Sequence, residues 1–299
     1  MRSLHTSSFS HTQPERSERL GQPRRRYRIF MELSMGLTDF SRFVHELATL
    51  SGQAILPFFR STFSAEDKSR GGAFDPVTEA DRAGEAVMRH MIKRTFPTHG
   101  IVGEEFGAEQ ADAEYVWMLD PIDGTRAFMA GLPLWGTLIG LTRQGAPAYG
   151  MMHQPFTGER FFGDSGSAIY RGRQGGETAE RKLSTRRCES LGHAILATTS
   201  PKLFDEAGRA AYERVEHAVR LARYGCDCYA YCMLAAGHID IVVEQGLQPY
   251  DIVALVPIIE GAGGLVTAWD GGSAAKGGSI VAVGDRRLSD PVLALLNSG

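Results

Sequence analysis

The chain has 299 residues, 43% of them hydrophobic and 22% charged, with a formal net charge of −3. That is enough for one large domain or two lobes sharing an interface, with the composition of a soluble globular protein. Its longest uncharged apolar run, residues 252–259, is far short of the roughly 20 residues that a bilayer span needs, so no membrane span is predicted.

Residues 1–30 differ from the rest. Seven arginines and two glutamates give them about +5, which leaves about −8 for residues 31–299. Such a segment could be a targeting peptide or a polyanion-binding arm. It also reads as a disordered extension (residues 1–36) or as the result of a start codon placed too early, since Met31 and Met35 directly precede the first periodic stretch. It has no apolar segment of the secretory kind. Cys188, Cys226, Cys228 and Cys232 form no pair of zinc-finger units and are expected to be reduced, buried small hydrophobes, as in a cytoplasmic protein.

Segment 37–62 carries apolar residues at helical spacing, with Thr38 or Asp39 as its N-cap. A glycine-containing polar stretch, 68–78, reads as a loop, and a second helix starts at Thr78 or Asp81. Strands follow at 101–105, 115–119, 134–142, 148–153 and 159–163, with turn signals between them, and suggest an antiparallel meander. Beyond about residue 185 the texture becomes α/β. Strands are expected at 193–199, 219–222, 239–243, 265–268 and 280–283, and helices at 205–218, 227–237, 251–261 and from about 286. The expected fold is therefore layered α/β, with an N-terminal α+β lobe over 37–185, a C-terminal α/β lobe over 186–299 and the site between them.

Acids recur where strands end: Glu104 and Glu105, Asp120 and Asp123, and Asp251, with Asp81 near a helix start. Each alone reads as a turn or cap. Together they are what a hard divalent cation such as Mg2+ needs, because such ions take oxygen ligands in near-octahedral geometry. In DPID (120–123), Pro121 fixes the local backbone, so both aspartates can turn toward one centre and leave the Ile122 carbonyl as a neutral ligand. A helix starting at Gly124-Thr125 would aim free N–H groups at an anion. Metals beside an anion-binding helix start describe a phosphate-ester site.

These motifs resemble the inositol monophosphatase superfamily of Mg2+-dependent, lithium-sensitive phosphatases. The matching blocks are VGEE (102–105), WMLDPIDGT (117–125) and YDIVA leading into EGAGG (250–264), and the resemblance covers about residues 37–299. It implies an α-β-α-β-α sandwich and a homodimer. It implies that Glu104, Asp120 and the Ile122 carbonyl hold a first Mg2+, that Asp120, Asp123 and Asp251 hold a second, and that Glu104 shares a third, weaker ion. Asp81 would pair with the Thr125 hydroxyl and, with Glu104, position and deprotonate the attacking water. Gly124 and Thr125 would bind phosphate. The family's basic loop residue is matched by either Lys68 or Arg70, in a loop that is lengthened here.

Within the superfamily, the stretches 128–141, 224–244 and 248–264 most resemble the histidinol-phosphatase group. Asp227 and Glu244 fall at expected substrate positions, and two acids suit a cationic substrate better than a neutral polyol. Asp227 also reads as a plain helix N-cap and Glu244 as a solvated residue at a strand end. Trp135, Tyr229 and Tyr231 could face an imidazole or simply pack in the core. The alternatives are an inositol monophosphatase of broad specificity and a regulatory RNA- or polymerase-binding member of the fold that uses the arginine-rich segment. The complete metal set argues against a purely non-catalytic role.

Overall fold

The computed structural model describes residues 37–61 and 76–298. The arginine-rich extension and the alternatives Lys68 and Arg70 lie outside the described residues.

Helix α1 (Leu37–Ile55) already includes Thr38 and Asp39, so neither is its cap, and α2 (Pro76–Thr95) opens at Pro76, ahead of Thr78. Both pack on a sheet of eight strands: β1 (Gly100–Gly103), β2 (Gly107–Glu109), β3 (Tyr115–Asp123), β4 (Gly136–Arg143), β5 (Ala146–Gln154), β6 (Glu159–Gly163), β7 (Ala168–Gln174) and β8 (Glu177–Lys182). The order is β2-β1-β3-β4-β5-β6-β7-β8. From β3 onward it is the expected antiparallel meander, but β1 pairs parallel to β3. The β7–β8 hairpin was not anticipated, although Gly175-Gly176, both at positive φ, is a strong two-residue hairpin signal.

The second sheet has five strands: β9 (Ile195–Thr198), β10 (Leu221–Tyr224), β11 (Ile241–Leu247), β12 (Leu265–Ala268) and β13 (Gly278–Val283), in the order β10-β9-β11-β13-β12. It is mixed, since β9 runs parallel to β10 and β11 while β13 is antiparallel to its neighbours. Between the strands lie a one-turn helix α3 (Thr125–Met129) and α4 (Glu206–Ala218), α5 (Asp227–Ala235), α6 (Pro249–Ile252), α7 (Leu255–Gly261) and α8 (Ser289–Asn297). The helix expected over 251–261 is thus two short ones.

Alternation along the strands builds the layers. On β4, Ile139 and Leu141 face a core shared with Phe43, Leu47 and Met88 of α1 and α2, while Leu138 faces a central core with α5 and α7. On β11, Val242 faces that same central core, and Ile241 and Val243 face an outer one with Tyr212 of α4 and Val292 of α8. The result is five layers, α-β-α-β-α. The central core joins residues from both sides of position 185, so the two sheets share one packed interior. No helix among the described residues is long and apolar enough to cross a membrane.

Candidate active site

Strand β3 ends in an irregularity. Asp120 pairs with Leu138 of β4 and Asp123 with Gly136, so β3 carries one residue more than its partner there. In an unbroken strand, residues three apart point to opposite faces; the extra residue of the bulge returns Asp123 to the side of Asp120. The bulge is pinned on both sides. The Ile122 N–H donates to Asp120 Oδ1 at 3.0 Å, and the Thr137 hydroxyl donates to the Pro121 carbonyl at 2.8 Å. Gly124 then turns the chain at φ 94°, where a Cβ would also lie 3.0 Å from Trp135 Cα, so only glycine fits. Thr125 opens α3, and its hydroxyl donates to the Ile122 carbonyl at 3.4 Å.

The parallel pairing of β1 and β3 brings Glu104 beside this bulge, with the Glu104 N–H donating to the Leu119 carbonyl at 3.2 Å. The turn after β1 is held from below by Glu85 of α2, which is fully buried. Its carboxylate accepts the N–H groups of Glu105 (2.7 Å) and Phe106 (3.3 Å) and pairs with Arg89 at 2.6 Å. A Cβ on Gly103 would lie 2.1 Å from Glu85 Oε1, which explains the glycine in VGEE. The Glu85 anchor leaves the Glu104 side chain to face the cavity. Asp251 comes from α6, where the Gln248 N–H donates to its Oδ2 at 2.7 Å.

These acids converge. Oxygens of Asp81, Glu104 and Asp120 all lie within 4.8 Å of one another, as do those of Asp120, Asp123 and Asp251, with Asp120 common to both groups. Burial, and then the charges of Asp123, Glu104, Asp251 and Asp81, push the Asp120 carboxyl well above its usual range. Burial and Asp227 do the same to Asp123; burial, opposed by the Gln248 N–H, raises Asp251 to about 7; and burial raises Glu104. Asp81 and Asp120 are buried and the others close by, so carboxylates this crowded ionise together most readily around a cation. An all-oxygen donor set suits a hard divalent ion. No cysteine enters a metal-capable group among the described residues. Cys188, Cys228 and Cys232 are buried and Cys226 half-buried, in line with the expected structural role.

The cavity in front of these acids measures about 240 Å3, and Asp227, Arg126, Thr199 and Leu203 complete its wall. Asp227 is not a helix cap: the N-cap of α5 is Cys226, and Asp227 itself sits at φ 43°. The Cys228 N–H donates to Asp123 Oδ2 at 2.6 Å, so the start of α5 also fixes Asp123. Glu244 is neither solvated nor on the wall. It is 3% exposed and stands behind Thr199, whose N–H (2.6 Å) and hydroxyl (2.9 Å) both donate to Oε1; the Thr198 hydroxyl donates to Oε2 at 3.2 Å. The three aromatic candidates pack in the core: Trp135 and Tyr231 are buried, and the half-buried Tyr229 donates to Glu159 at 2.7 Å.

Arg126, Thr199 and Glu85 were not anticipated. Arg126 directly follows the DGT motif, which was a usable signal. Nothing local marks Thr199, because its role depends on β9 ending beside β11.

Burial pushes Glu244 from 4.5 up to about 7, and the hydrogen bonds from Thr199 and Thr198 only partly oppose this. A raised folded-state value gives stability that is fully present below about pH 4.5 and lost as the pH rises through about 7. The loss is on the order of 3 kcal/mol. At saturating Mg2+, Glu244→Gln is expected to flatten the decline of Tm between pH 5 and pH 8, read by calorimetry. An unchanged slope would show that Glu244 does not titrate in this window.

A sequence model of the inositol monophosphatase family matches residues 37–297. The chain belongs to the inositol monophosphatase family. It is similar to a chloroplastic protein of Arabidopsis thaliana described as bifunctional phosphatase IMPL2, 43% identical over 270 residues that cover 86% of this chain and 75% of that protein. It is also similar to the histidinol-phosphatase of Mycobacterium tuberculosis, 35% identical over 75% of this chain and 85% of that one. Among solved structures, an inositol monophosphatase from Zymomonas mobilis matches with a TM-score of 0.77 and 39% identity, covering 88% of this chain and 99% of that one. The protein is therefore a phosphatase acting on phosphoric monoesters. Enzymes of this family use Mg2+, and the clustered carboxylates are fitted to hold it.

Proposed function

We propose that the enzyme hydrolyses histidinol phosphate to histidinol and phosphate, a step of histidine biosynthesis, and that it works as a cytoplasmic homodimer. The observation that carries the substrate reading is Asp227 on the cavity wall, with Glu244 buried behind Thr199. A cationic amine and a protonatable imidazole suit a wall whose acid stands beside Asp123, at the edge of the carboxylate cluster. A neutral polyol can donate hydroxyl hydrogen bonds to this half-buried carboxylate but brings it no positive charge. The similarity to a histidinol-phosphatase supports the same reading.

In this reading, Glu104, Asp120 and the Ile122 carbonyl hold one Mg2+, Asp120, Asp123 and Asp251 hold a second, and Glu104 shares a third. Bound Mg2+ supplies Lewis acidity toward the phosphoryl oxygens and the departing alkoxide. Asp81 and Glu104 orient the attacking water and take its proton, and the Thr125 hydroxyl, which donates to the Ile122 carbonyl in this structure, turns to Asp81 in this role. The N–H groups of Gly124 and Thr125 hold the phosphate oxygens. Asp227 receives the cationic end of the leaving group, and Glu244 fixes Thr199 in the wall beside it.

A second reading is an inositol-phosphate phosphatase of broad specificity, favoured by the similarity to the Zymomonas mobilis inositol monophosphatase. A panel of phosphate esters assayed with Mg2+ separates the two. We expect kcat/KM for histidinol phosphate to exceed that for inositol 1-phosphate by about a hundredfold, since a buried carboxylate left without its partner is strongly penalised. Asp227→Ala should erase most of that ratio. A preference for the inositol ester by the wild type would overturn the first reading in favour of the second.

A further inference from the structure

A second cavity, of about 360 Å3, lies at the opposite end of the five-stranded sheet. Strands β9 and β11 run parallel. Thr199 and Glu244 meet at their far ends, whereas this cavity sits at their starts, where Asp240 accepts the Ile195 N–H at 2.7 Å and its carbonyl accepts the Gly284 N–H at 2.8 Å. It is lined by Arg186, Arg187, Arg286 and Arg287, together with Asp285 and the backbone of Gly263 and Gly284. Neither the sequence motifs nor the catalytic reading uses these four arginines.

We propose that this cavity binds a small di- or polyphosphate anion. The arginines are arranged to present charge outward. Arg186 pairs with Asp240 through both Nε and a terminal nitrogen, and Arg287 grips Asp285 in the same two-pronged way. The acids are sunk while the guanidiniums are not: the Asp240 side chain is 1% exposed against 41% for Arg186, and Asp285 is 10% against 52% for Arg287. The carboxylates therefore fix the orientation of two guanidiniums and leave their outer edges free. Arg286 makes one long hydrogen bond, 3.4 Å to the Gly263 carbonyl, and Arg187 has no ion pair or side-chain hydrogen bond with any described residue. Four guanidiniums against the carboxylates of Asp240, Asp285 and the nearby Glu189 leave the cavity cationic.

The arginine fork matches phosphate oxygens in pairs, and a phosphate group accepts two such forks. Four forks thus match two phosphate groups rather than one. The volume lies at the lower end of small-molecule sites, above the need of a single phosphate. A pocket lined by four arginines favours a compact anion; an extended nucleic acid calls for a stripe of positive charge along a surface.

The test is calorimetric titration of inorganic pyrophosphate into the full-length Asp123→Asn protein with Mg2+, in which the catalytic cavity is disabled. One-to-one binding that weakens with rising KCl is expected. Arg187→Ala and Arg286→Ala, each placed in that background, should weaken it about tenfold, the scale of one charge-assisted hydrogen bond. In the otherwise wild-type enzyme both changes should leave Tm and turnover unaltered, since neither residue touches the catalytic cavity. Absence of binding at millimolar pyrophosphate would overturn the proposal, as would binding indifferent to both substitutions. Tighter, equally arginine-dependent binding of a single-stranded RNA would also overturn it, in favour of a polymer surface.

Discussion

Asp123→Asn is expected to lower kcat/KM about a thousandfold at saturating Mg2+, equivalent to about 4 kcal/mol of transition-state stabilisation, while leaving the fold intact. Asp123 is well placed for such a clean separation. One oxygen, Oδ2, accepts the Cys228 N–H at 2.6 Å, and an asparagine carbonyl can keep that bond. The charge is a different matter. Asp123 is the strongest charged neighbour acting on Asp120, and burial alone outranks it in raising the Asp120 carboxyl. Without a cation, the negative charge of Asp123 therefore destabilises the folded protein. The variant should melt at the same temperature as the wild type or higher in EDTA. Added Mg2+ should raise the wild-type Tm and move the variant much less, because ligand stabilisation follows affinity for the folded state. Near-normal turnover at saturating Mg2+ would remove Asp123 from the metal set. A variant that melts well below the wild type in EDTA would show that it contributes to packing instead.

The convergence of these acids was legible in the sequence because they cluster in short motifs at strand ends, where several charges taken together have no bland explanation. What the sequence did not reveal is how DPID works. Proline rigidity was the expected cause, whereas the structure adds a bulge: Asp120 opposes Leu138 and Asp123 opposes Gly136, and the extra residue puts both carboxylates on one side. Pairing register is a property of two strands and cannot be read from one. Asp227 illustrates the same limit. An acid before an apolar helix reads as a cap, yet here it takes positive φ and faces the cavity. Glu244, read as a solvated residue at the end of a strand over 239–243, lies buried inside β11 and reaches the cavity wall only through Thr199. The β7–β8 hairpin, by contrast, carried a readable Gly-Gly signal.

Glu85 is the clearest case of a functional residue hidden by its local context, since in TEADRAGEAV it looks like one more charge on a helix surface. It is fully buried because Gly103 leaves room for its carboxylate, and its hydrogen bonds to the N–H groups of Glu105 and Phe106 hold the turn that aims Glu104. Glu85→Ala is expected to cost about 3 to 5 kcal/mol, because Arg89, only 8% exposed, would keep its charge without its buried partner. Glu105 and Phe106 donate to different oxygens of Glu85, so Glu85→Gln keeps an acceptor for one of the two N–H groups and should cost less than Glu85→Ala. Stability and catalysis can be separated by the double change Glu85→Leu with Arg89→Met, which replaces the ion pair by apolar volume and should recover most of the lost stability. It restores no acceptor to the turn. Assayed well below its Tm, the double variant should therefore still lose about 10- to 100-fold in Mg2+ affinity or kcat/KM, the usual scale for a group that orients a metal ligand. Chemical denaturation and Mg2+ titration of activity read the two quantities independently. If activity returns together with stability, Glu85 acts through packing alone, and the positioning of Glu104 must come from its own strand.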